Sequence, residues 1–140
     1  MRVLVDTSVW SLVLRKKILT DEEVLIRSEL IELIKELRVE IIGPIRQELL
    51  SGISDEKKFE VLKDKISAFE DVEIITEDFE TAAKFSNTCR KNGIQGSHID
   101  FLICAVAFKN SMSIFTTDKD FERYHEYIDF KLHKIRNEIT

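Results

Sequence analysis

Val3-Leu4-Val5-Asp6-Thr7-Ser8-Val9-Trp10 is the stretch from which the fold is read. Val3–Val5 is an unbroken run of β-favouring apolar residues, the pattern of a short strand buried on both faces, and it stops at Asp6. Thr7–Leu14 then has helical character and ends at the basic run Arg15-Lys16-Lys17. Outward from there the alternation continues. Between Asp21 and Arg38, Val24, Leu25, Leu30, Ile31, Ile34 and Leu37 recur at three- and four-residue spacing, an amphipathic helix with a charged outer face. Val39–Ile42 reads as a second strand, broken by Gly43-Pro44, with Pro44 as the first residue of a helix that carries Glu48.

Helices are expected over Asp55–Phe69 and Glu77–Lys91, the latter closed by Asn92-Gly93, with a strand at Val72–Ile75 between them. Ser97 opens a strongly apolar helix through about Lys109. A strand at Ser113–Thr116, a short helix at Lys119–Tyr124 and a final strand at Ile128–Leu132 complete the chain. Strands alternating with helices imply an α/β fold: a parallel sheet with helices on both faces, in one domain spanning residues 1–140.

Composition bounds the function classes. The charged share of 34% exceeds the usual share of about 25%, and four Gly and one Pro leave little room for long loops. No apolar run approaches the roughly 20 residues of a membrane span. Met1–Asp6 is too short and too soon acidic for a signal peptide. Cys89 and Cys104 match no zinc or redox spacing, so both read as reduced packing residues of a cytoplasmic protein. A net charge of −5 argues against a broad nucleic-acid-coating surface, so any nucleic-acid contact must come from local basic patches.

The acids fall in one kind of place. Asp6 follows a strand, Glu48 lies a helical turn beyond one, and Asp118 follows another in Thr116-Thr117-Asp118-Lys119-Asp120-Phe121. In a parallel sheet these strand ends share one edge, where ligand sites of open α/β folds form. Asp100 sits in the first turn of the helix that leads into the Ser113 strand, and its place at that edge is an inference. Each acid also has a plain structural explanation: Asp6 and Asp118 as helix caps, Ser97 to Asp100 as a capping box, Glu48 as an exposed helix residue. Clustered carboxylates raise the free energy of one another's ionised forms, and a hard divalent cation removes that cost. Such an ion polarises a phosphoryl oxygen and acidifies water. Acids without an activated Ser or Cys point to phosphodiester hydrolysis.

With these pieces in place the sequence resembles the PIN-domain nucleases, and within them the VapC-type toxins of bacterial and archaeal toxin–antitoxin pairs. The resemblance is carried by Val3-Leu4-Val5-Asp6-Thr7-Ser8, by Glu48 after a strand and turn, by Gly96-Ser97-His98-Ile99-Asp100-Phe101-Leu102-Ile103-Cys104-Ala105, and by Thr116-Thr117-Asp118-Lys119-Asp120-Phe121, in the family's order. It implies an α/β/α sandwich around a central, mostly parallel sheet of four to five strands. It implies a Mg²⁺ or Mn²⁺ site, endoribonuclease activity on RNA, a homodimer, and inhibition by a small antitoxin protein. Carried over residue by residue, Asp6, Glu48, Asp100 and Asp118 match the acidic quartet of catalytic metal ligands, and Asp120 a less constant fifth acid. Ser8 and Thr116 match small polar residues that brace the ligands. Cys104 stands where alanine is common.

Among the remaining residues, Lys119 and Arg123 flank the acidic loop and are candidates for phosphate contact, as are Arg15 and Lys16, which equally suit the negative end of the first helix. His98 reads as a solvent-facing helix-start residue, and Trp10 and Phe101 as core or interface. Arg46 is a weak candidate for orienting Glu48 or Asp6. Phosphoryl transfer to an aspartate would need a paired acid or Asp-x-Asp after the first strand, where this chain has Asp6-Thr7-Ser8-Val9. A PIN-domain RNA-processing enzyme that is not a toxin, and a non-catalytic module of the same fold, are the alternatives.

Overall fold

Four short strands make one all-parallel sheet in the order β2-β1-β3-β4: β1 (Val3–Val5), β2 (Val39–Glu40), β3 (Ser113–Phe115) and β4 (Lys131–Leu132). The computed structural model describes residues 1–136. Val3 lies opposite Val39 and Ser113, and Ile114 opposite Leu4 and Leu132. Val3, Leu4, Val5 and Ile114 are all fully buried. Successive strand residues point to opposite faces, so both faces of the sheet's centre are covered, as the unbroken apolar run requires.

The covering helices are α1 (Thr7–Arg15), α2 (Asp21–Lys35), α3 (Gly43–Leu50), α4 (Glu56–Ile66), α5 (Thr76–Lys91), α6 (His98–Lys109) and α7 (Asp120–His125). α1 packs with α2 and α3, and α5 lies along α6, which in turn rests on β3. Buried Asp78 of α5 pairs with Lys109 of α6 at 2.8 Å. No helix among the described residues is long and apolar enough to cross a membrane.

The ends of two helices set where their strands begin. After α2, the Arg38 N–H donates to the Leu33 carbonyl and the Leu37 N–H to the Ile34 carbonyl, with Leu37 at φ 58. After α6, Met112 N–H donates to Ala107 and Ser111 N–H to Phe108, with Ser111 at φ 54. Both are Schellman stops, which satisfy orphan carbonyls with a left-handed residue and turn the chain at once into the following strand. Gly93 at φ 76 plays the same part after α5.

Four expected strands are shorter than read or absent, Ser113–Thr116 only by its last residue. Val39–Ile42 yields only Val39–Glu40, because Ile42 is already the N-cap of the Pro44 helix. Val72–Ile75 is not a strand. One bridge joins Asp71 to Ile41, Val72 N–H donates to the Ile41 carbonyl at 2.8 Å, and Ile75 N–H is taken by Asp78 Oδ2 at 2.9 Å to start α5. The last strand begins at Lys131 rather than Ile128, since Ile128 N–H still donates to the Tyr124 carbonyl. The sheet therefore has four strands.

The core is one cluster built on β1, β3 and the buried run Phe101–Ala107 of α6. Trp10 is buried edge-on against Phe69 at 5.3 Å. On the β4 side, buried Glu29 of α2 is met by His133 at 2.7 Å and Arg136 at 3.1 Å, which ties the end of the described chain to α2. Cys89 and Cys104 are both free thiols and buried, and burial pushes the Cys104 thiol well up, so neither is a nucleophile.

Candidate active site

Asp6 ends β1 and caps α1, and its carboxylate is gripped from two sides. Oδ2 accepts from Ser8 Oγ at 2.8 Å, from Thr116 Oγ1 at 2.8 Å, and more weakly from Ser8 N–H at 3.4 Å. Each hydroxyl has one hydrogen, and both are spent on Asp6. The oxygens of Ser8 and Thr116 then accept from Thr117 N–H and Asp118 N–H, each at 3.0 Å. Asp6 is buried, at 6% exposure, and Oδ1 accepts no hydrogen bond among the described residues. Capping and site-building are thus compatible readings of one side chain.

This network staples the β1–α1 turn to the loop after β3, which carries Asp118. Asp118 Oδ1 accepts from Asp120 N–H at 2.9 Å and so opens α7 as an Asx-type turn. Asp120 is exposed on that first turn.

Asp100 arrives from α6. The parallel strands make this natural: a helix feeding a parallel strand must start near the carboxyl edge and run down to the amino edge. Ser97 Oγ accepts from Asp100 N–H at 3.1 Å, which is half of a capping box. The other half is missing, because the Asp100 carboxylate turns instead to Tyr124, whose hydroxyl donates to Oδ2 at 2.8 Å. Burial pushes the Asp100 carboxyl up, more than the Tyr124 and Ser97 hydroxyls draw it down, and the charges of Asp6 and Asp118 add to the push. Burial, the Asp100 bond and the charges of Asp100, Asp120 and Asp118 likewise push the Tyr124 hydroxyl far up, so it stays a donor. Asp6, Asp100, Asp118 and Asp120 therefore share one electrostatic neighbourhood.

Glu48 stands apart from the bonded group. It is exposed on α3, and with Pro44, Gln47 and Ser51 it faces Ile99 at the start of α6 across a groove of about 420 Å³. Arg46 does not reach Glu48 or Asp6. It binds Asp71 at 2.9 Å and the carbonyls of Ile66 and Phe69. Lys119 lines a small polar pocket with Thr117, Asp118 and Lys134, and Arg123 is exposed on α7. Arg15 and Lys16 lie at the far end of α1, about 13 Å along a nine-residue helix from Asp6. Arg15 donates to the Leu49 carbonyl and Lys16 pairs with Glu23 at 2.7 Å. His98 is exposed.

As they stand, no three Asp, Glu, His or Cys side chains among the described residues converge closely enough to ligate one ion. The donor set nonetheless fits a hard cation. All its groups are carboxylate oxygens, and Mg²⁺ is held through one or two carboxylates with waters completing its shell, not through an all-protein cage. Asp6, locked through Oδ2 with Oδ1 open, has the posture of such a ligand.

Sequence reasoning missed Tyr124 and the space that admits it. A Cβ on Gly96 would lie 2.4 Å from the Tyr124 hydroxyl oxygen and 2.7 Å from its Cζ. A glycine immediately before a helix cap was the one visible sign of a close approach.

A four-stranded parallel sheet with Asp6, Asp100 and Asp118 in one electrostatic neighbourhood at its carboxyl edge has its acids where the ligand sites of open α/β folds form. The sequence pattern of the PIN domain matches residues 3–127, and the chain belongs to the PIN-domain family. No curated protein matches it by sequence. Its fold is similar to FitAcB from Neisseria gonorrhoeae, with a TM-score of 0.75 at 20% identity over 96% of this chain and 99% of that one. It is similar to VapBC2 from Rickettsia felis bound to a promoter DNA fragment, with a TM-score of 0.76 at 15% identity over 95% and 98%. DNA-bound VapBC from Salmonella typhimurium gives a TM-score of 0.72 at 16% identity over 95% and 97%.

Proposed function

We propose that the protein is a Mg²⁺- or Mn²⁺-dependent endoribonuclease and the toxin of a pair with a small antitoxin, acting in the cytoplasm. The observation that carries the reading is the Asp6 grip: two hydroxyls from different segments fix one carboxylate oxygen and leave the other unbonded, while the charges of Asp6 and Asp118 push the Asp100 carboxyl up. A fold stabilised for its own sake gains nothing from assembling those charges.

When bound, Mg²⁺ or Mn²⁺ supplies Lewis acidity toward a phosphoryl oxygen and toward the attacking water. Asp6, Asp100 and Asp118 would hold the ion, directly or through water, with Glu48 and Asp120 as outer acids. Ser8 and Thr116 fix Asp6, and the protein's remaining carboxylates accept the proton that the water releases. Lys119 stands where it can meet a phosphate of the bound strand.

Two surfaces suit protein partners. Between α1 and α4 runs a groove of about 560 Å³ lined by apolar Leu14, Ile53, Val61 and Leu62 together with basic Arg15, Lys17, Lys57, Lys58 and Lys65. An apolar lining calls for apolar cover, so an amphipathic helix with acidic flanks fits better than RNA. Its position at the far end of α1 also separates it from the acids. The second surface bears on a homodimer. The apolar face of α6 is covered by α5 of the same chain, so α6 by itself does not demand a partner. What remains open is a groove of about 340 Å³ lined by Phe79, Ala83, Ile99 and Leu102, and a second copy is the proposed cover for it and for the exposed Phe108 of the same helix α6.

Incubating the purified protein with a pool of structured RNAs in Mg²⁺, Mn²⁺ or chelator, then sequencing the new ends, tests the activity. Defined cuts that need metal are expected. Uncut RNA in both metals, from protein with a native circular dichroism spectrum, would overturn the reading.

A further inference from the structure

The Tyr124 hydroxyl donates to Oδ2 of Asp100 at 2.8 Å, across 24 residues of sequence. Tyr124 is 1% exposed, wedged between Phe101 at 4.9 Å and Phe121 at 5.3 Å, so its ring cannot drift. It stands on α7, the helix that Asp118 opens, whereas Asp100 stands on α6. One hydrogen bond therefore joins the two segments that supply Asp100 and Asp118. It exists only because residue 96 has no side chain, since any Cβ there would overlap both the hydroxyl and the ring carbon that bears it. A Phe at 124 would fill the core equally well, so packing does not call for the oxygen. A buried hydroxyl without a partner is costly, and here the partner is a member of the acidic site.

We infer that Tyr124, seated in the slot left by Gly96, is a positioning residue for the metal site: it holds Asp100 by Oδ2 so that Oδ1 is presented beside Asp6 and Asp118. This rests on the metal-site reading above. The division of labour repeats what Ser8 and Thr116 do for Asp6, one oxygen tied and the other left open. Partners of this kind behind a ligand are worth about 10- to 100-fold in metal affinity.

The test is Mn²⁺ affinity, read without substrate from the electron paramagnetic resonance signal of free Mn²⁺, for wild type, Tyr124→Phe and Gly96→Ala. Tyr124→Phe is expected to bind Mn²⁺ about 10- to 100-fold more weakly, with a native near-ultraviolet circular dichroism spectrum. Gly96→Ala, which evicts the ring, should weaken binding at least as much. Tyr124→Phe binding within twofold of wild type would overturn the positioning role and leave the metal site standing. Wild type that binds no Mn²⁺ would overturn the metal site and this role with it. A Tyr124→Phe protein that fails to fold would make the bond purely structural and also overturn the role.

Discussion

Neutralising Asp100 and neutralising Asp6 should move stability in opposite directions when no metal is present. Repulsion among clustered carboxylates, taken by itself, would make the loss of either acid stabilising. The hydrogen bonds reverse that expectation at Asp6. Asp6 receives two strong bonds, both 2.8 Å, and a weak third. In Asp6→Asn the oxygen and the cap survive, but each strong bond loses its charge assistance, about 1 kcal/mol apiece. Relieved repulsion returns on the order of 1 kcal/mol at an effective dielectric between about 20 and 80, for a net loss near 1 kcal/mol. At Asp100 the Tyr124 hydroxyl donates at 2.8 Å, and burial together with the charges of Asp6 and Asp118 outweighs what it and the Ser97 hydroxyl contribute. Asp100→Asn therefore gains stability, again on the order of 1 kcal/mol. With an unfolding entropy of about 2.1 cal/mol/K per residue over 140 residues, 1 kcal/mol corresponds to about 3 °C.

The pH dependence follows from the direction of the Asp100 shift. Its folded carboxyl lies above the ordinary value, so wild type loses stability as pH rises from the usual carboxylate range through that raised value. Below both values the carboxyl is protonated in either state, and the advantage of Asp100→Asn disappears. Thermal melts in chelator at pH 7 and pH 3 read both effects. Asp100→Asn melting below wild type at pH 7, or gaining ground as the pH falls, would refute the reasoning.

Leu37 is 90% exposed at φ 58, a backbone that costs an L-residue roughly 1–2 kcal/mol, so Leu37→Gly should raise the denaturant midpoint without changing the slope. Reversing charge in the α1–α4 groove with Lys57→Glu and Lys58→Glu should weaken association with the antitoxin at least tenfold by calorimetry while RNA cleavage persists. Phe108→Asp should lower the mass seen by light scattering at tens of micromolar from dimer to monomer. A wild type already monomeric there would remove the dimer.

Much of this architecture was legible because parallel strands announce themselves. Val3–Val5 is apolar throughout and Ser113–Phe115 is buried throughout, and the caps Asp6, Asp55 and Ser97 mark helix starts within a residue. Val72–Ile75 misled because Val72 and Ile74 alternate with acids like a half-buried strand. Alternation reports which side is wet, but a strand also needs a neighbour long enough to pair with, and β2 ends at Glu40. Strand ends put Asp6 and Asp118 at one edge, whereas Asp100, on a helix start, was placed there by inference, which the influence of both charges on its carboxyl supports. The Tyr124 bond spans 24 residues and belongs to a side chain that reads as ordinary core, so no local pattern reveals it. Periodicity likewise shows that the apolar face of α6 needs cover and not which helix supplies it, which is α5 of the same chain.

The central claim is that carboxylates from separate elements act as one metal-dependent site. It is tested most directly by single-turnover cleavage of the best RNA from the pool, comparing wild type with Asp6→Asn, Asp100→Asn and Asp118→Asn in Mn²⁺ and in chelator. Wild type is expected to cut only with metal, and each variant, native by circular dichroism, to lose at least about a hundredfold in rate, more than the loss of a partner behind a ligand costs. Cleavage that survives chelator, or a variant that cuts at the wild-type rate, would contradict it.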